Sequence, residues 1–228
     1  MVGTIVNVIA IIIGSILGFL VKGRLPKRFQ NIVMQGISLA VLIIGLQMAL
    51  SVESTKGTLV VIFSLVIGGI IGELLRIENG LEIFGEAIQK KFGSDDGLFV
   101  QGFVQSSLIY CVGAMAIMGA IQDGLNNDPS ILFTKSLLDG TASIAFSATF
   151  GIGVIFSSLP VLVYQGSISL LASWAQKFLN QDVITMMTAT GGLLIMAIGF
   201  NILLSTEIKI GNLLPSIFVA ILIAQFVF

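Results

Sequence analysis

Apolar runs of about 18–23 residues, separated by short polar breaks, recur along the whole chain. At 1.5 Å rise per residue such a run crosses the ~30 Å hydrocarbon core of a bilayer as a helix. Eight runs are read: 3–21, 33–51, 57–75, 99–121, 131–155, 159–178, 184–205 and 210–228. The fifth and sixth share one stretch, 131–178, broken only by Gly151, Gly153 and Ser157-Ser158-Leu159-Pro160. One long span plus a re-entrant piece also fits that stretch and gives seven spans. The predicted fold class is all-α, a polytopic transmembrane helical bundle. It forms a single integral membrane domain over 1–228.

Between the third and fourth runs the pattern changes. Leu81, Phe84, Ile88 and Phe92 recur at helical spacing with charges opposite. Residues 78–92 therefore read as a short interfacial helix. Orientation follows from Lys and Arg. With eight spans and the N-terminus outside, Lys22, Arg24, Lys27, Arg28, Arg76, Lys90, Lys91 and Lys209 collect inside, against Lys56, Lys135 and Lys177 outside. Both termini are expected outside. Met1-Val2-Gly3-Thr4 offers no positive leader region, so the first run is expected to be a span rather than a signal peptide.

Composition agrees. Hydrophobic residues make up 56% and charged residues 10%, against about 25% charged in soluble domains. The 26 glycines suit close approach of membrane helices. No basic patch points to nucleic acid. No His and one Cys exclude a His/Cys metal site and an intrachain disulfide. No cofactor is expected.

Against that background Asp139 stands out. It sits in Leu137-Leu138-Asp139-Gly140-Thr141-Ala142-Ser143, where a charge at membrane depth costs about 2.5–3.5 kcal/mol on insertion scales. Lys135, Asp139, Ser143, Ser147 and Gly151 recur at i+4, which puts them on one helix face. Lys135 can reach Asp139 as an ion pair. Hydroxyls one turn apart can solvate an ion or carry a water file; a packing seam around a buried salt bridge is the alternative. On the fourth span Gln105 lies in the inner half. Asp123-Gly124 reads as an outer turn or an acidic vestibule.

A shift of 154 residues aligns Ile44-Gly45-Leu46-Gln47-Met48-Ala49-Leu50-Ser51 with Ile198-Gly199-Phe200-Asn201-Ile202-Leu203-Leu204-Ser205. Glu53 then meets Glu207 and Gly57 meets Gly211. Spans 1–3 (repeat A, 1–76) would recur as spans 6–8 (repeat B, 159–228), around central spans over 99–155. An offset of five spans inverts the second copy, the commonest plan of secondary transporters. Gln47 and Asn201 are equivalent in this alignment. Asn7 and Gln165 show a similar inverse placement.

Several motifs carry a resemblance. Gly113-Ala114-Met115-Ala116-Ile117-Met118-Gly119, Gln122-Asp123-Gly124, Lys135-Ser136-Leu137-Leu138-Asp139-Gly140, Gly151-Ile152-Gly153 and Tyr164-Gln165-Gly166 resemble the bacterial membrane family called domain of unknown function 554 (YqgA/YdfK-like). Gly3-Thr4-Ile5-Val6-Asn7 and Gly14-Ser15 resemble its start. The resemblance covers essentially the whole chain. It implies a bacterial inner-membrane protein and, at most, a transport role.

The functional expectation is a secondary transporter or channel for an ion or small solute. Asp139 is its charged element and Lys135 the partner or gate. Ser143, Ser147 and Gln105 are pathway ligands, with Gln165, Asn7, Gln47 and Asn201 behind them. A cation or proton is favoured over an anion because the deep charge is acidic. The alternative is a non-transporting structural or regulatory membrane protein that binds lipid or a partner. An enzyme is not expected, since no Ser stands beside an evident base and no paired carboxylates occur in a span. A homodimer is expected from the glycine content.

Overall fold

The computed structural model of the chain describes residues 1–22, 27–92, 97–173, 179–204 and 206–227. Arg24 and Lys177, and the ends of the sixth, seventh and eighth expected spans at 178, 205 and 228, lie outside the described residues. So do the side chains of Lys27 and Lys91 and those of the apolar stripe Leu81, Phe84, Ile88 and Phe92.

Every regular element among the described residues is helical. The order is α1 (Val2–Lys22), α2 (Lys27–Ala49), α3 (Thr55–Leu75), α4 (Ile77–Phe92), α5 (Phe99–Cys111), α6 (Ala114–Asn126) and α7 (Ser130–Phe150). A 3-10 turn (Ile152–Ser157) follows, then α8 (Ser158–Leu170), α9 (Gln181–Leu204), α10 (Ile210–Leu213) and α11 (Pro215–Val227). The expected interfacial segment is the helix α4. The chain packs as two compact units. The first comprises Met1–Ile37, Ile83–Cys111 and Met115–Ala175; the second comprises Ser38–Glu82, Val112–Ala114 and Gln176–Phe228.

The helices are inside-out relative to those of a soluble protein. α1 buries Gly3, Thr4, Asn7, Ile11, Gly14, Ser15 and Gly18, and exposes Val2, Ile5, Ile9, Ile13, Leu17 and Leu20. α3 buries Gly57, Ser64, Gly68 and Gly72, and exposes Ile62, Phe63, Val66, Ile70, Leu74 and Leu75. In water such continuous aliphatic surface would drive aggregation. In lipid the apolar residues need no burial, and small residues are spent on helix contacts.

Among the described residues, six stretches can cross a bilayer by length and composition: Val2–Lys22, Asn31–Ala49, Thr55–Leu75, Ile152–Leu170, Gln181–Leu204 and Ile210–Val227. The run expected at 99–121 is not one straight span. It is α5 and α6, bent by 60° about Val112-Gly113, and counted together they make a seventh. Gly costs about 1 kcal/mol in a helix interior, which weakens the ladder there. The sixth span starts earlier than expected, at Ile152, because the 3-10 turn leads directly into α8. The last is interrupted at Leu214, before Pro215, whose ring nitrogen cannot donate to the ladder. The helix α7 has 21 residues, long enough to span, but Lys135, Asp139 and its hydroxyls keep it outside the apolar set.

Local signals set the ends. Ser54 caps α3 by accepting the Gly57 N–H at 3.1 Å. Asp128 accepts the Ser130 N–H at 3.1 Å at the start of α7. The Ser130 hydroxyl and the Gln122 amide also donate to Asp128 and hold its carboxyl below the usual carboxylate range, Ser130 being the larger cause. α7 stops at Gly151, whose φ of 89° and ψ of −158° suit glycine alone.

In the second unit α3 lies antiparallel to α10 and α11. Gly68 meets Ser216, and Gly72 meets the Asn212 backbone. α2 and α9 are also antiparallel, with Gly45 against Gly192 and Met196, and Gly199 against Leu42.

Candidate functional site

The site is built on the contact of α1 with α7 in the first unit. These helices run side by side in the same direction. Gly3 meets Leu132, Ala10 meets Gly140, Gly14 meets Ser143 and Gly18 meets Ala148. A methyl group on Gly14 would fall 2.1 Å from the Gly140 carbonyl oxygen. Glycine here lets the two backbones touch, and touching backbones bring short polar side chains of both helices face to face.

At the centre Lys135 Nζ lies 2.9 Å from Asp139 Oδ1 and 2.8 Å from Oδ2. Both residues are buried, at 7% and 6% exposure. Asn7 Nδ2 donates to Asp139 Oδ2 at 2.9 Å and makes a longer bond, 3.4 Å, to Gln165 Oε1. The amide orientation of Asn7 follows from this, because the reverse would set its carbonyl oxygen against a carboxylate. The i+4 spacing on α7 makes the ion pair; Asn7 on α1 and Gln165 on α8 complete its surroundings. Burying both charges costs several kcal/mol per ion, and the mutual bonds plus the Asn7 amide offset part of that.

Further along α7 the Ser143 hydroxyl bonds the Tyr110 hydroxyl at 2.8 Å, and the Ser147 hydroxyl donates to the Gly151 carbonyl at 3.1 Å. α5 runs antiparallel to α7, with Tyr110 at Ser143 and Gly102 at Phe150. Gln105, between these contacts and buried, therefore comes alongside the stretch that ends at Ser147. In the other direction Asp123 of α6 accepts the Gly3 N–H at 3.0 Å and lies 3.0 Å from the Met1 amino group. Asp123 is inside α6 and 2% exposed, not part of an outer turn. Ser169 of α8 sits beside Gly124, its carbonyl 2.2 Å from where a Gly124 Cβ would stand.

The polar groups thus form a column. Asp123 is level with Gly3, followed by Thr4 and Ser169, then Lys135, Asn7, Gln165 and Asp139, then Ser143 with Tyr110 and, at that level on α1, Ser15, then Ser147 and Gln105. From Lys135 to Ser147 it extends about 18 Å along α7. Six of its buried polar atoms find no hydrogen-bond partner among the described residues: Thr4 Oγ1, Asn7 Oδ1, Ser15 Oγ, Gln105 Oε1, Gln165 Nε2 and Ser169 Oγ. Buried polar atoms of this kind are ordinarily satisfied by water or a ligand.

Seven of the nine residues singled out in the sequence meet here: Asp139, Lys135, Ser143, Ser147, Gln105, Gln165 and Asn7. Gln47 and Asn201 belong to the second unit. Gln47 is exposed. Asn201 ties the loop after α9, donating to the Ile208 carbonyl at 2.9 Å and accepting from Ile208 N–H at 3.0 Å and the Thr206 hydroxyl at 2.7 Å. Tyr110 was not read from the sequence, although a Tyr deep in an apolar run ordinarily seeks a partner for its hydroxyl. Thr4, Ser15 and Ser169 were also missed, because single hydroxyls in apolar helices are common and usually bond their own backbone.

The second unit holds a separate polar cavity of about 480 Å³, lined by Glu73, Glu78, Asn201, Lys209 and Asn212 among others. Within it Glu73 is held by Lys209 and Asn212. Asn212 Nδ2 donates to Glu73 at 2.6 Å, its Oδ1 accepts the Glu78 N–H at 2.7 Å, and Lys209 pairs with Glu73 at 3.0 Å.

The sequence profile of the family described as protein of unknown function (DUF554) matches residues 2–225. The chain belongs to the DUF554 family. Among relatives, "Uncharacterized membrane protein YdfK" of Bacillus subtilis (strain 168) is 33% identical over 220 residues, covering 96% of this chain and 93% of that protein. "Uncharacterized protein YqgA" of Escherichia coli (strain K12) is 28% identical over 224 residues, covering 96% and 94%. No solved structure matches. A family member named as a membrane protein agrees with the apolar helices described above.

Proposed function

We propose that the protein is a secondary transporter or channel for an ion or small solute, with its path along the column at Asp139. The observation that carries this is the buried Lys135–Asp139 pair inside a column with unmet hydrogen-bonding capacity. A bundle that needed only to fold in lipid would gain by replacing these groups with apolar ones.

Helix directions support membrane insertion of α7. Alternating spans place the first and fifth parallel, and α1 and α7 are parallel. They place the fourth and fifth antiparallel, as α5 and α7 are. The inverted repeat belongs to the same reading. Gly45 and Gly199 are equivalent at the 154-residue shift, as are Leu42 and Met196. Gly45 packs on Met196 while Gly199 packs on Leu42. Any antiparallel pair has a local two-fold; the matched glycines at one crossing are what support descent from a duplicated segment.

Purified protein in liposomes, followed by light scattering under osmotic gradients with small neutral solutes and with sodium and potassium salts, and by an entrapped pH-reporting dye under an imposed pH step, tests the path. At least one permeant is expected to cross tenfold faster than in protein-free liposomes. No permeant above that background would sink the reading. Orientation is tested with topology tags. Tags at residues 1 and 228 are expected to report the periplasm, and one within 78–95 the cytoplasm. A cytoplasmic report from residue 228 would remove the even span count and with it the inversion.

The second reading is a non-transporting structural or regulatory membrane protein. It is favoured by the closure of Lys135, Asp139 and Asn7 on one another, and it predicts that these groups serve stability alone.

A further inference from the structure

We infer that the species relayed through this column is the proton, carried on water between the fixed groups, and that the Tyr110–Ser143 hydroxyl pair is a relay element. The inference rests on the transport reading above and names its substrate.

Three observations lead there. First, the column is charge-balanced: Asp139 with Lys135, and Asp123 with the Met1 amino group. A metal cation must gather several oxygen ligands at once, and both Asp139 oxygens are already occupied by Lys135 and Asn7, whereas a proton needs one lone pair on one oxygen. Second, the six unpartnered atoms comprise two amide carbonyl oxygens, one amide nitrogen and three hydroxyls. Such a mixture of acceptors and donors fits water, which accepts and donates, better than a bare cation, which only accepts electron pairs. Third, in the Tyr110–Ser143 bond either oxygen can be the donor. A hydroxyl pair of that kind can take a proton on one side and release another on the opposite side, whichever way the bond points.

The step balances without any co-reactant. Hydronium arriving from the Asp123 end gives its proton to an Asp139 oxygen, leaving water and a neutral acid, and one bond from Lys135 or Asn7 is released. The acid then passes that proton to a water towards Ser143, and the carboxylate regains its bond. Ser143 and Tyr110 accept and release a proton in turn. One proton moves and nothing is oxidised. The charged and titratable groups on the helices packed here, among the described residues, are Lys135 and Asp139 on α7, Asp123 on α6 with the Met1 amine, Tyr110 and Cys111 on α5, Tyr164 on α8, and Lys22 in the last turn of α1. α1 contributes Asn7 and hydroxyls along the column.

The experiment uses the full chain in liposomes holding a pH-reporting dye, with an imposed pH step and potassium plus valinomycin to clamp the voltage. Wild type is expected to collapse the pH step at least tenfold faster than protein-free liposomes. Tyr110→Phe and Ser143→Ala each remove one hydroxyl while keeping the rest of the side chain. Each is expected to lose at least tenfold of that rate, with the melting temperature within a few degrees of wild type. Asp139→Asn is expected to abolish it. Tyr110→Phe and Ser143→Ala conducting at the wild-type rate would overturn the relay. Wild type that passes sodium or a neutral solute without moving protons overturns this inference and leaves the transport reading standing. Wild type that moves nothing overturns both.

Discussion

Asp139→Asn is expected to destabilise the protein by about 3–5 kcal/mol, because it leaves the Lys135 ammonium buried beside neutral amides. Both partners are nearly inaccessible, so solvent screening does not reduce the effect. The same change is expected to stop permeation. The double variant Lys135→Met with Asp139→Leu removes both charges and both desolvation penalties, and is expected to recover most of the stability. Permeation in the double variant is expected to remain absent. Thermal unfolding and liposome flux, measured on the wild type, the single variant and the double variant, separate the two readings of this site. Stability restored together with transport would show that Asp139 and Lys135 hold the bundle together and do nothing for a permeant.

Gly14→Val is expected to be at least as damaging, with a loss of roughly 3 kcal/mol or more. The added Cβ would meet the Gly140 carbonyl at 2.1 Å and the Ser143 Cβ at 3.1 Å. Overpacking that side chains can absorb costs typically about 1–3 kcal/mol, but here the obstruction is backbone and cannot rotate away. α1 and α7 must part, and Asn7 then loses its reach to Asp139. Gly36→Ala on α2 is the control. Among the described residues nothing lies within 4 Å of that added methyl, and replacing a helical Gly by Ala gains about 0.5–1 kcal/mol. A Gly14→Val protein that melts with the wild type would show that the α1–α7 contact is looser than described.

Much of the architecture was legible in the chain itself. Runs of apolar residues the length of a bilayer crossing can only be helices in lipid, because every backbone group must then be satisfied within the segment. The ion pair was also legible, since Lys135 and Asp139 are one turn apart and α7 is helical. Ser143 and Ser147 shared its face for the same reason. These are local consequences of the 3.6-residue period.

What the sequence could not supply was everything that depends on which helices touch. The inverse placement of Asn7 and Gln165 does not say that they meet at Asp139, and nothing in the chain says which group the Tyr110 hydroxyl meets. They join Asp139 and Ser143 because Gly14, Gly18 and Gly140 let α1 lie against α7, and because α5 and α8 pack around that contact. Asp123, read as part of an outer turn, becomes a buried carboxylate at the start of α1, where its charge meets free N–H groups and the positive helix end. Gln47 and Asn201 look as suitable as Asn7 in the chain, yet one is exposed and the other holds a loop. The bend at Val112-Gly113 and the break before Pro215 also belong to the tertiary level: glycine and proline mark where a helix can yield, and packing decides whether it does. Periodicity along one helix fixes which residues share a face. Only close approach between helices far apart in sequence decides which faces meet, and a buried polar column exists only where they do.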